Sequence, residues 1–133
     1  MSVRWDVRKD DLDPQFGEDV DDVLARSTFA WVVTQGFRTT EEQRALYTKY
    51  QAGGPLAAPP GRSAHNWGLA VDVAILTPAG PSWDYKNDQW YWLWNTCDQH
   101  PRLRSGHHFG DDDHVQSTTW AQKRVELKQA GTW

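Results

Sequence analysis

The sequence has 133 residues, enough for one hydrophobic core but not for two, so we predict a single catalytic domain over 1–133. Its net charge of -4 argues against a nucleic-acid partner, and its one cysteine excludes an internal disulfide. No apolar stretch approaches about 18 residues and the N-terminus lacks the apolar core of a signal peptide, so we expect no membrane span and synthesis in the cytoplasm.

The first predicted elements are a helix and a strand. Asp13 followed by Pro14 is typical of a helix start, and apolar residues then recur at helical spacing, which predicts an amphipathic helix over 14–26. The apolar run over 29–34 is rich in residues that favour strands, and it predicts a buried strand.

A second helix and a long loop are predicted next. Thr39 and Glu42 fit a capping box, which predicts a helix over 40–50. Residues 51–64 are rich in glycine and proline, which predicts a loop of a length that is more often functional than idle. Apolar side chains of the helix are expected to face inward, namely Ala45, Leu46 and Tyr50.

The second half of the chain mixes strands and helices without a regular βαβ rhythm. We therefore predict an α+β fold with a small antiparallel sheet flanked by helices. The predicted elements are a strand over 69–76, a turn over 78–81, a helix over 84–99, a short strand over 114–117 and a last helix ending near residue 129.

The segment from Ser63 to Asp72 carries the clearest chemical signal. In a strand over 69–76, the side chain of Asp72 shares a face with two small alanines, which leave room for a cation. A carboxylate there is costly to bury unless it is paired or bound to a cation. His65 precedes a turn at Gly68 and can fold back toward the same face.

A second imidazole, His114, follows three consecutive aspartates, Asp111 to Asp113. Two histidines and one carboxylate form the ligand set of a catalytic zinc site, which leaves the fourth position open. Taken alone, His65 is more typical of a structural or surface histidine. The acidic run, taken alone, is equally typical of a solvated turn. Together they favour a metal centre.

The run SAHNWGLAVD over 63–72 resembles the Ser-x-His-x-x-Gly-x-Ala-x-Asp motif of the zinc peptidoglycan peptidases. That family includes D-Ala-D-Ala carboxypeptidases, dipeptidases and the L-alanyl-D-glutamate endopeptidases found among phage endolysins. Residues 35–43 are similar to its Gly-aromatic-Arg-Ser/Thr segment, and 111–114 resemble its acidic-x-x-His element. The three elements occur in the family's order, and the resemblance implies a Hedgehog/DD-peptidase-like fold.

The resemblance also implies a role for each matching position. Asp111 would be the general base and Arg38 would stabilise the charged transition state. Ser63 lies beside the metal and would contact the substrate. The zinc ligands would be His65, Asp72 and His114.

The approach to His114 departs from the family pattern. Asp113 stands where relatives often have proline, so Asp112 and Asp113 remain rival bases. In an extended strand Asp112 would share a face with His114, and Asp111 reaches the zinc water only if 111–114 form a turn. The roles of His107 and His108 stay open: they are a fourth metal ligand, a substrate contact or neither.

These features predict zinc-dependent hydrolysis of a peptide bond in the stem peptides of bacterial peptidoglycan. We expect an L-alanyl-D-glutamate endopeptidase that acts as a monomeric phage endolysin on the cell wall after its release from the cytoplasm. A D-Ala-D-Ala carboxypeptidase is the alternative within the class, and Arg62 and Arg104 are candidate anchors for its terminal carboxylate. An inactive, zinc-bearing wall-binding domain is the alternative outside the class.

Overall fold

The structure, a computed structural model, describes residues 3–132. Within this range the chain forms four α-helices, six strands and three short 3₁₀ turns, at Lys9–Asp11, Ala64–Trp67 and His107–Phe109. The helices are α1 (Pro14–Ala25), α2 (Thr40–Gln51), α3 (Asp88–Gln99) and α4 (Thr119–Gln129). The strands are β1 (Val3–Trp5), β2 (Trp31–Gln35), β3 (Ala70–Thr77), β4 (Gly80–Ser82), β5 (Leu103–Ser105) and β6 (His114–Ser117).

The strands form one sheet in the order β1-β2-β3-β6-β5, with β4 also paired to β3. β1 runs parallel to β2, and the other pairs are antiparallel. The α+β prediction is confirmed, with one parallel pair at the edge of an otherwise antiparallel sheet. The register places Asp72 of β3 directly between Gln35 of β2 and His114 of β6.

The core lies between the sheet and helices α1 and α3, which contact each other. Trp31 and Trp90 meet edge to face at 5.2 Å and are fully buried. Burying each large apolar side chain contributes about 1.5–3 kcal/mol. Cys97 belongs to this core, and burial raises the pKa of its thiol to about 12, so it is an inert packing residue. Other core side chains are Phe16, Val20, Leu24, Val71, Val73, Leu93, Leu103 and Val115.

Several predicted element bounds need correction. α3 begins at Asp88 rather than near 84, because the Asn87 side chain accepts a hydrogen bond from the Gln89 N–H and caps the helix there. Part of the predicted turn over 78–81 is strand β4, since Gly80 and Pro81 pair with β3. β1 and β5 were not predicted, because three-residue strands carry too little periodicity.

The predicted inward face of α2 was also wrong. Ala45 and Tyr50 are exposed, and Leu46 is only half-buried. The residue of α2 that is buried is the polar Gln43, whose amide donates to the Ala58 carbonyl at 2.8 Å and ties the helix to the long loop. The capping box at Thr39 and Glu42 is confirmed.

Candidate metal centre

Asp72 lies at the centre of a row of polar residues that crosses three strands. Its Cα is paired with Gln35 on one side and with His114 on the other. Directly opposed residues of neighbouring strands point to the same face, so the carboxylate and the imidazole of His114 meet there. The neighbouring Ala70 and Ala74 are fully buried and too small to fill the space around the carboxylate.

His65 reaches the same point from the 3₁₀ turn that precedes β3. The Ser63 hydroxyl accepts a hydrogen bond from the His65 N–H at 3.3 Å, and Asn66 closes a capping box with Ser63. Gly68 ends the turn with φ at 67°, and a Cβ there would lie 2.9 Å from the Asp13 nitrogen. Glycine is therefore required on both conformational and steric grounds, and the turn returns His65 toward Asp72.

Each histidine of the cluster has one ring nitrogen occupied by a fixed acceptor. His65 Nδ1–H donates to the Gly36 carbonyl at 2.9 Å, and His114 Nε2–H donates to Gln116 Oε1 at 2.9 Å. These hydrogen bonds select the tautomers in which the other nitrogens carry lone pairs. Those nitrogens, His65 Nε2 and His114 Nδ1, both face Asp72.

The distances from the Asp72 carboxylate to the two imidazoles fit a tetrahedral metal ion. Asp72 Oδ1 lies 3.5 Å from His65 Nε2 and 3.4 Å from His114 Nδ1. Zinc bonds of about 2.0–2.1 Å in tetrahedral geometry put ligand atoms about 3.3 Å apart. Asp72 Oδ1 and His114 Nδ1 are buried and have no hydrogen-bond partner among the described residues. We refer to His65, Asp72 and His114 as the ligand cluster.

When no metal is bound, Asp72 and His114 shift each other's pKa. Burial acts to raise the pKa of Asp72, but the two imidazoles outweigh it and keep this pKa below its ordinary value. Burial acts to lower the pKa of His114, yet Asp72 and then Gln116 keep it above its ordinary value. A metal ion binds only neutral imidazoles, so its affinity should fall at acid pH.

Asp111 approaches the cluster because residues 111–114 form a turn. The His114 N–H donates to the Asp111 carbonyl at 3.2 Å, and Asp111 Oδ2 lies 3.6 Å from His114 Nδ1. The side chain of Asp111 is half exposed, so it faces both the cluster and solvent. This is the local geometry that a general base at position 111 requires.

The two rival aspartates have other contacts. Asp112 is turned away, with its Oδ1 2.7 Å from His107 Nδ1. Asp113 is half-buried, and burial followed by the charges of Asp72 and Asp111 raises its pKa to about 7. It lies beside the Asp111 carboxylate, so these two acids remain the candidates for proton transfer.

Arg38 is joined to the ligand cluster through the backbone. Its N–H donates to the His65 carbonyl at 3.0 Å, and its own carbonyl accepts from Asn66 at 2.8 Å. Its guanidinium donates to Gln43 Oε1 at 2.8 Å, which fixes its direction. Arg38 lines an open groove of about 290 Å³ together with Glu42, Ala45, Leu46, Lys49 and Gln35, whose Cα is paired with that of Asp72.

Sequence reasoning found the three cluster residues but missed their supporting partners. Gln116 could have been found, because residues two apart in a strand share a face and an amide there can hold His114. The Gly36 carbonyl and the buried Gln43 left no such signal, since both act through long-range contacts. The Ser63 hydroxyl serves as a local turn cap by accepting the hydrogen bond from the His65 N–H.

A buried His–Asp–His cluster at the end of an α+β sheet has the donor set of a zinc hydrolase. Residues 18–100, more than half of the chain, match the VanY family, described as D-alanyl-D-alanine carboxypeptidase. The chain belongs to this family and is thus a peptidase of the VanY superfamily, whose members act on peptidoglycan. The match includes Arg38, His65 and Asp72 but ends before Asp111 and His114.

Solved structures of similar fold extend the likeness over most of the chain. The L-Ala D-Glu endopeptidase ChiX of Serratia marcescens matches with a TM-score of 0.63 at 21% identity, covering 87% of this chain and 86% of its own. The D,D-pentapeptidase VanY of a VanB-type resistance cassette, solved with Zn(II), matches with a TM-score of 0.52 at 20% identity, covering 89% and 76%. The D,D-dipeptidase VanXYg matches at 0.60 and 15% identity, covering 90% and 55%.

Proposed function

We propose that His65 Nε2, Asp72 Oδ1 and His114 Nδ1 hold a catalytic zinc ion. The observation that carries this proposal is the pair of hydrogen bonds to Gly36 and Gln116, which direct both imidazole lone pairs at the Asp72 carboxylate. Two imidazoles favour zinc over magnesium or calcium, which prefer oxygen ligands. Three protein ligands leave one tetrahedral position for water or substrate.

The proposed reaction is hydrolysis of an amide bond. Zinc bound in such a site lowers the pKa of water toward about 7 and polarises the scissile carbonyl. Asp111 accepts the proton of the attacking water and then donates it to the leaving amine. Its carboxylate is half exposed and lies 3.6 Å from His114 Nδ1, one of the proposed metal ligands, which supports this role.

Arg38 is proposed to stabilise the negative charge that develops on the carbonyl oxygen. Its anchoring to His65 through the backbone and to Gln43 through the side chain supports this role, because a preorganised donor needs no reorganisation during the reaction. One such donor is typically worth about 2.7–4 kcal/mol of transition-state stabilisation. Ser63 is proposed to contact the substrate in addition to capping the turn that carries His65.

The proposed substrate is the stem peptide, cut between L-alanine and D-glutamate. The open groove beside Arg38 supports an endopeptidase, because it gives the peptide room to extend beyond the cut bond. The two arginines considered as anchors for a terminal carboxylate are engaged elsewhere. Arg62 donates to the Thr132 carbonyl, and Arg104 donates to the carbonyls of His100 and Leu103.

Digestion of purified peptidoglycan tests this proposal directly. Mass spectrometry of the products should find a new amino terminus on D-glutamate, with L-alanine left on the sugar-linked fragment. Release of free D-alanine without that new terminus would instead identify a carboxypeptidase. Zinc-loaded protein that binds walls but releases nothing would identify the inactive wall-binding domain.

The endolysin role is a further part of the proposal, and it rests on the sequence resemblance alone. Expression inside bacteria should leave cells intact until the inner membrane is permeabilised, after which the culture should clear within minutes. An Asp111→Asn variant expressed at the same level controls for lysis caused by permeabilisation itself. Lysis without permeabilisation would show that the protein reaches the wall by another route.

A further inference from the structure

The segment that carries Asp111 is a closed loop. Residues 106–113, here called the acidic loop, run from the end of β5 to His114, the first residue of β6. The Gly106 N–H donates to the His114 carbonyl at 2.7 Å, and the Gly106 carbonyl accepts from the Asp111 N–H at 2.9 Å. A Cβ at Gly106 would clash with the Asp111 carbonyl oxygen, so the backbone of these two residues is in close contact.

The middle of the acidic loop is the 3₁₀ turn His107–Phe109, in which the Phe109 N–H donates to the Gly106 carbonyl at 3.1 Å and the Gly110 N–H to the His107 carbonyl at 3.2 Å. The loop contains no proline, Gly110 adopts a positive φ of 82°, and Phe109 is 53% exposed. A segment with two glycines and little buried surface keeps conformational freedom unless contacts from outside the segment restrict it. The rate of proton transfer depends on that freedom, because the base must be held near its productive geometry.

A side chain of α3 joins the acidic loop to the rest of the molecule. The ring of Trp94 stacks on that of His107 with centroids 3.6 Å apart and planes 8° from parallel. Trp94 Nε1–H donates to the Asp112 carbonyl at 2.8 Å. His107 Nδ1–H in turn donates to Asp112 Oδ1 at 2.7 Å. The three residues thus form a ring of contacts that closes on Asp112, the neighbour of Asp111.

These contacts are fixed to the rigid part of the molecule. α3 is anchored in the core by Trp90, Leu93 and Cys97. One turn after Trp94, Asp98 accepts hydrogen bonds from the N–H and the hydroxyl of Ser105, at 2.7 and 3.0 Å. Residues four apart on a helix share a face, so α3 holds β5 and the acidic loop with one surface.

We propose that Trp94, His107 and Asp112 are positioning residues that hold the Asp111 carboxylate at the ligand cluster. This inference rests on the proposed function, in which Asp111 is the general base. It also assigns His107, because Trp94 covers one face of its ring and because the described side chains whose ligand atoms gather within 4.8 Å of one another are those of His65, Asp72 and His114. His107 therefore acts through the loop rather than as a fourth metal ligand.

The test compares substitutions of His107 on the zinc-loaded protein, with peptidoglycan fragments as substrate. His107→Ala should lower kcat by about tenfold to hundredfold, the range expected when a catalytic group is misplaced by about 1 Å. KM, zinc content and melting temperature should change little, because the side chain is half exposed and touches no ligand. His107→Gln keeps a donor for Asp112 and His107→Phe keeps a ring on Trp94, so each should recover part of the lost rate.

His108→Ala is the matched control, since His108 lies on the same 3₁₀ turn and is exposed. It should retain the wild-type kcat. A wild-type kcat in His107→Ala, or a loss equalled by His108→Ala, would overturn the positioning role. A loss explained by missing zinc or by unfolding at the assay temperature would overturn it as well.

A double substitution separates this inference from the proposed function. If His107 acts through Asp111, then adding His107→Ala to Asp111→Asn should cost little further rate, because residues that act as a unit are not additive. A full further loss would contradict the positioning role. Wild-type turnover in Asp111→Asn alone would instead refute the proposed base, whatever the His107 variants show.

Discussion

The ligand cluster and the acidic loop meet at His114 but are held in place by different means. The cluster is held by the backbone, because strand register sets Asp72 opposite His114 and a glycine turn returns His65. The acidic loop is closed by its own backbone hydrogen bonds, and side chains tie it to α3, where Trp94 and His107 meet at Asp112. Exposure differs accordingly, at 17% for the Asp72 side chain and 53% for that of Asp111.

This difference reflects what each region must do. Metal ligands need fixed positions and a dry environment, which strand register and the hydrogen bonds to Gly36 and Gln116 supply. A general base must exchange protons with solvent between turnovers, so it is exposed, and its placement depends on contacts that a single substitution can remove. Substitutions in the cluster should therefore change metal binding, whereas those in the loop should change only rate.

The largest effect is expected from removing a cluster imidazole. His65→Ala or His114→Ala should abolish both zinc binding and hydrolysis, because two ligands cannot hold the ion in a catalytic site. Zinc content by mass spectrometry of the native protein and release of peptide fragments are the measurements. His108→Ala should keep both properties. Zinc at one ion per chain in His114→Ala would break the comparison, because the cluster would then not be the metal site.

The next largest effect is expected in the acidic loop. Asp111→Asn should keep zinc and lose about 10²–10⁴ in kcat, the usual contribution of general acid–base catalysis. Asp113→Asn is the informative companion, since its carboxyl lies beside that of Asp111 and its pKa is raised to about 7 by burial and then by neighbouring charge. If Asp113→Asn is inactive while Asp111→Asn is not, the proton passes through Asp113 instead.

The same contrast explains how much could be predicted from the sequence. The cluster was predictable because alternation along β3 puts Asp72 between two alanines, and that pattern is local. The α+β class and all four helices followed from periodicity and caps, such as the Thr39 capping box. The three predicted ligands are brought together as expected, while their roles remain predictions until metal and activity are measured.

The rest depended on contacts between residues far apart in the chain. Whether Asp111 or Asp112 faces the cluster depends on the turn over 111–114, which Trp94 and Gly106 hold through long-range hydrogen bonds. The inward face of α2 was mispredicted because its apolar residues line an open groove while Gln43 is buried to serve Arg38 and the loop. Hydrophobic periodicity predicts neither the turn over 111–114 nor the burial of Gln43, because both depend on polar contacts around the site rather than on packing in the core.

A smaller effect is expected from the side-chain support of the cluster. Gln116→Leu removes the acceptor that fixes the His114 tautomer, so zinc affinity should fall by about 10–100-fold. At saturating zinc the kcat should stay near wild type. Gln116→Glu keeps an acceptor at the same distance and should keep the affinity. Competition with a zinc chelator measures both variants, and equal affinities for Leu and wild type would show that the backbone alone holds His114.

The smallest effect on activity is expected from an ion pair that touches neither region. Asp19 of α1 is buried and accepts two hydrogen bonds from Arg102, at 2.7 and 2.9 Å, and a third from Gln15. Asp19→Ala should lower the free energy of unfolding by about 1–3 kcal/mol, the usual value for hydrogen bonds to a charged group. Its kcat and zinc content should remain those of the wild type at temperatures where it is folded.

The pH dependence of the stability lost in Asp19→Ala identifies the cause of that loss. The hydrogen bond from Arg102, opposed by burial, keeps the pKa of Asp19 below its ordinary value of 3.8. A group whose pKa is lowered on folding stabilises the protein above its unfolded pKa and loses that contribution as pH falls through its folded pKa. The difference in stability between wild type and Asp19→Ala should thus be full near neutral pH and shrink below about pH 4, as urea unfolding of the metal-free proteins would measure. A difference that stays constant into acid would assign the loss to packing around α1, and a fall in kcat at neutral pH would show that the scaffold and the catalytic regions are coupled.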